Sequence, residues 1–113
     1  EDIRSPEEAE SSEHIRVRVI EARKIQQLRF KDCPKVHANA GMTSQQVGEF
    51  CPLIPEVEQL LQHAMNRLRL SARAYERILK VARTIADLAN DPHIETKHLL
   101  EAIHYRSLDK DIY

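Results

Sequence analysis

Residues 71–90, SARAYERILKVARTIADLAN, constrain the fold more than any other stretch of this chain. Tyr75, Ile78, Leu79, Ala82, Ile85, Ala86 and Ala89 recur at helical spacing, and Ala74, Val81 and Leu88 widen the apolar arc to nearly half the circumference. A helix this broadly apolar must be covered from several sides, so it is expected at the centre of a bundle. Arg73, Glu76, Arg77, Lys80, Arg83 and Asp87 make up the opposite face. Glu76 with Lys80, and Arg83 with Asp87, stand four apart and read as surface pairs worth ~0.3 kcal/mol each. Asn90, Asp91 and Pro92 end the helix.

The other segments supply the cover. Ile20, Lys24, Ile25 and Leu28 have helical spacing, which predicts one helix over about residues 13–30 despite strand-like alternation at 15–20. Pro34, Asn39 and Gly41 mark a loop. A short helix is expected to follow Thr43 or Ser44 and end near Phe50. Pro55 suits the first position of the next helix, whose stripe is Val57, Leu60, Leu61, Ala64, Met65 and Leu68. A final helix, starting near Glu95 or Thr96 and running to about Arg106, is expected to bury Leu99, Leu100, Ala102 and Ile103. The expected fold is therefore all-α, a small bundle of four main helices and one short one. Residues 1–12 read as an acidic linker or arm, 13–109 as the helical domain and 110–113 as a tail.

Bulk composition narrows the function classes. With 17 basic and 18 acidic residues the net charge is −1, so only a local patch could attract nucleic acid. No apolar run is long enough for a bilayer, no membrane partner is expected, and two cysteines make no disulfide framework; a cytoplasmic location is the simple expectation. Two glycines cannot supply a phosphate loop, and no apolar strand ends in Asp-Glu to hold magnesium. The chain alone is not expected to hydrolyse ATP.

Cys33, His37, Cys51 and His63 have the ligand types of a zinc site but not its spacing, and they are read as buried thiols and ordinary histidines. His98 and His104 stand six apart, poor geometry for one helical face. Ser71 is explained by capping a helix. Arg73 remains. If Ser71 is the cap, Arg73 sits in the first turn, where the helix macrodipole makes a cation cost roughly 0.3–1 kcal/mol. Either it is a tolerated surface arginine, or it and the helix N-terminus face an anion such as a phosphate together. Arg77 and Lys80 extend it into a basic face. Glu76 and Asp87 interrupt that face and no aromatic residue interleaves, so DNA binding by this chain alone is expected to be weak.

The run LRLSARAYERILKVARTIADLAND, with HLLEAIHYRSLD behind it, resembles the C-terminal domain of the magnesium-chelatase-like AAA+ ATPases, which include the ComM-type competence protein family. The leading IRVRVIEAR and the Asn39–Ala40 pair fit as well. The resemblance implies a helical lid that follows an ATPase core. It implies that Arg73 is the sensor-2 arginine, reaching the γ-phosphate of ATP from a lid helix capped by Ser71. ATP and Mg2+ would be bound by the parent protein and not by this fragment alone. The implied partners are the upstream AAA+ core domain, neighbouring subunits of a ring oligomer and, for ComM-type members, DNA. The alternatives are a non-catalytic helical interaction module and the lid of a true magnesium chelatase subunit.

Overall fold

A computed structural model describes the backbone of residues 11–112 and the side chains of 12–105. Five α-helices follow one another among these residues: α1 (Ser11–Arg29), α2 (Ser44–Phe50), α3 (Pro55–Leu68), α4 (Ala72–Leu88) and α5 (Thr96–Ile112), with a 3-10 turn at Asn39–Gly41 before α2. There is no strand among the described residues. Residues 1–10 of the expected acidic arm lie outside them, while Ser11 and Ser12 open α1. No helix of the described residues is long and apolar enough to cross a membrane.

Each boundary has a local cause. Thr43 and Gln46 form a reciprocal capping box at the start of α2, with the Gln46 amide donating to Thr43 Oγ1 and the Thr43 amide to Gln46 Oε1. Pro55 takes the first position of α3, where its missing N–H costs nothing. The left-handed residues that end α3 and α4 are Arg69 (φ 53°) and Asn90 (φ 59°); neither glycine has a positive φ. The Asp91 amide closes the α4 terminus on Ala86 O at 2.8 Å.

Asparagine tolerates the left-handed region, but a long side chain at Arg69 is strained there. Arg69→Gly is therefore expected to raise stability by about 0.5–1 kcal/mol. A lower midpoint in urea would show that the Arg69 side chain holds the junction.

The expectation that α4 lies at the centre holds. It packs on α1, on the 3-10 turn, on α2 and most extensively on α5. Ile78, Leu79 and Ala82 meet Val57 and Leu61 of α3, Leu99 and Ala102 of α5, and Phe30, Val36, Met42, Val47, Cys51 and Ile94 from the connections and α2 in one core. Phe30 and Phe50 close one end edge-to-face, ring centroids 5.4 Å apart.

Three expectations about faces need correction. Leu100 was expected inside α5, yet it is exposed, as is Val81 on α4. Both stand at the rim of their helix's apolar arc, beyond what the neighbours cover. The third concerns Arg83 and Asp87, assigned to the solvent face of α4 but only 4% and 1% exposed. The buried arc of α4 is wider than its apolar arc because α1 and the 3-10 turn also lie against it.

Candidate functional site

Ser71 caps α4 as expected: its Oγ accepts the Ala74 amide at 3.2 Å. That makes Arg73 the second residue of the helix, exposed to solvent, with no ion pair or hydrogen bond among the described residues. No acidic residue stands in this first turn. Arg77 lies one turn further along the same exposed stripe, and Lys80 follows, its Nζ donating to Ala40 O at 3.2 Å. The structure thus brings Arg73, Arg77 and Lys80 onto one face of α4. Glu76 sits beside this stripe, half-buried, while Asp87 has left it for the interior. The face is more uniformly basic than the sequence suggests. What it can do chemically is donate hydrogen bonds to an anion at the positive end of a helix.

The position of α4 is fixed by a buried polar network that the sequence did not reveal. Arg29 of α1 grips Asp87 with both terminal nitrogens at 2.8 Å. The Asn39 side chain accepts from Arg29 at 2.9 Å and donates to Asp87 at 2.9 Å and to Thr84 Oγ1 at 3.0 Å. The Asn39 amide donates to Gln26 Oε1 at 3.1 Å. One asparagine therefore ties α1, the 3-10 turn and α4 together. On the far side of Asp87, the Nε of Arg83 comes within 3.3 Å of its carboxylate, an ion pair without hydrogen-bond alignment. The Arg83 terminal nitrogens donate to Asp91 O and Pro92 O, which pins the α4–α5 connection. Burial pushes the Arg83 guanidinium below its ordinary value, and the neighbouring Asp87 opposes that shift.

A second buried group secures the same connection. His98 accepts the Glu95 amide on Nδ1 at 2.8 Å, capping α5, so its Nε2 carries the proton donated to Asp91 at 2.8 Å. The local sequence signal was a Glu-x-x-His step at a helix start, which reads as a cap only once the ring is seen turned back.

Among the described residues no three His, Cys, Asp or Glu side chains converge as a metal site would require. Cys33, expected to be buried, is only half-buried and lines a surface cavity with His37, Phe30 and Val36; Cys51 lies in the core as expected, and His63 is exposed on α3. A chelator is expected to leave the melting temperature unchanged; stoichiometric zinc in the purified protein would restore these four residues as ligands. The two thiols should also differ. Burial pushes Cys51 up to about 11, with nearby Arg83 and Arg29 only partly offsetting it. Alkylation at mildly basic pH should modify Cys33 first and reach Cys51 only on unfolding. The stability from keeping Cys51 protonated is complete below its ordinary value of 9.0 and is lost as pH rises towards about 11.

Comparison with known proteins points one way. Residues 9–106 match the family model for the magnesium chelatase subunit ChlI C-terminal region. The chain is 42% identical over 101 residues to an Escherichia coli protein named YifB, across 89% of this chain and 19% of that protein. It is 41% identical over 99 residues to the competence protein ComM of Haemophilus influenzae, across 88% of this chain and 18% of that one. The chain thus spans about a fifth of the length of the curated relatives it matches.

Proposed function

The chain belongs to the family defined by the C-terminal region of the magnesium chelatase subunit ChlI, and on that premise we propose that it is the lid of a magnesium-chelatase-like AAA+ ATPase, with Arg73 as its phosphate-sensing arginine. The proposed unit is residues 13–109, working with an upstream core that supplies ATP and Mg2+. The observation that carries the reading is the capped start of α4. Ser71 fixes where the helix begins, Arg73 projects from its first turn, and no carboxylate in that turn neutralises it. The cation is unfavourable beside the helix dipole until an anion arrives, and then both attract it. Arg77 and Lys80 lie beyond it on the same stripe.

In this reading the lid closes over bound nucleotide and completes the charge around the γ-phosphate; the core does the chemistry. The rigid tie through Arg29, Asp87 and Asn39 supports it, because a sensor arginine acts only if its helix is held in place. The parent is proposed to assemble as a ring of subunits and to act on DNA; the competence protein name of one relative supports the second of these. Deleting residues 13–109 from the parent should abolish ATP turnover while the remaining core stays folded. Undiminished turnover would leave a plain helical interaction module as the better reading.

A further inference from the structure

α1 carries apolar residues on its outer side as well as on its inner one. The side that packs on α4 presents Val19, Ala22 and Ile25 together with Gln26 and Arg29, the last two held by hydrogen bonds, while Val17, Ile20 and Leu28 on the outer side are 47%, 42% and 69% exposed. At 100° per residue Val17, Glu21, Lys24 and Leu28 form one seam, opposite Ala22 and Gln26. Their steps of four, three and four residues are those of a coiled-coil seam. Ile20 flanks it.

From the charges in that seam we infer that α1 pairs antiparallel with α1 of a second copy of this chain. A two-fold axis across the middle of the seam sets Val17 against Leu28 of the second copy, and Glu21 against its Lys24, each contact occurring twice. Parallel, in-register pairing would oppose Glu21 to Glu21 and Lys24 to Lys24, so charge selects the antiparallel arrangement. Both charged residues are exposed in the single chain and lose little by meeting. The contact is small. A four-layer helix seam falls short of the roughly 1,200 Å2 of total buried area typical of a stable complex, so the pairing is weak and concentration-dependent.

Sedimentation of the 113-residue chain from about 10 μM to about 1 mM tests this, a range matched to a small interface. The weight-average mass should climb from 13.1 kDa towards twice that value. Leu28→Glu and Glu21→Lys should each hold the chain monomeric with unchanged helicity, since both positions are exposed. Glu21→Lys combined with Lys24→Glu should restore association. A monomer throughout the range overturns the inference, as does association that survives Leu28→Glu. Failure of the double exchange to restore pairing overturns the antiparallel register.

Discussion

Asp87→Ala is expected to destabilise the domain by about 3–5 kcal/mol, the cost of removing one partner from a buried ion pair. Asp87 is 1% exposed and receives hydrogen bonds from Arg29 and Asn39, with Arg83 at ion-pair distance. Its loss leaves two guanidinium groups close together with no countercharge, and Arg83 is almost wholly buried. Asn39 loses an acceptor in the same step. Small domains are stable by only about 5–15 kcal/mol, so a large share of the folding free energy would go. Urea denaturation followed by circular dichroism measures it. Asp87→Asn should cost less, because it keeps the shape and one acceptor. A loss below about 1 kcal/mol for Asp87→Ala, the range of ordinary surface changes, would show that water reaches the network and screens it.

Arg73→Ala should do the opposite. In the isolated chain it removes an exposed cation from the positive end of a helix and substitutes the best helix former, so stability should hold or rise by a few tenths of a kcal/mol, roughly. In the proposed parent ATPase the same change should lower turnover by ~10²–10³ if Arg73 touches developing charge on the phosphate, and by less if it only gates closure. Arg73→Lys should rescue only in part, since lysine lacks the planar fork that grips two phosphate oxygens. Normal turnover in the alanine variant would remove the sensor assignment. A loss of more than about 1 kcal/mol in the isolated chain would make Arg73 structural.

These two residues lie fourteen positions apart on one helix, and the sequence treated them alike, as members of a polar face. Period alone separates apolar from polar positions. It cannot tell a polar residue facing water from one facing another polar group, and Arg83 with Asp87 looks the same in either setting. The deciding facts lay elsewhere in the chain: Arg29 and Asn39 stand 58 and 48 residues from Asp87. Asn39 was legible as a loop marker and as part of a resemblance but not as a buried partner, since a loop asparagine usually needs no partner beyond its own turn. α1 was legible as a helix but not in orientation, because apolar residues lie on both of its sides and two of its inward residues, Gln26 and Arg29, are polar.

By itself the sequence determined what depends on neighbours along the chain. The helical periods, the Ser71 cap, Pro55 at the start of α3 and the absence of any phosphate loop rest on interactions spanning a few residues. The central place of the α4 segment followed from how much of its circumference is apolar. Only the tertiary structure decided which polar side chains were to be buried. Burying a charge is favourable only when its partners arrive together from distant segments, as Arg29, Asn39 and Arg83 do around Asp87.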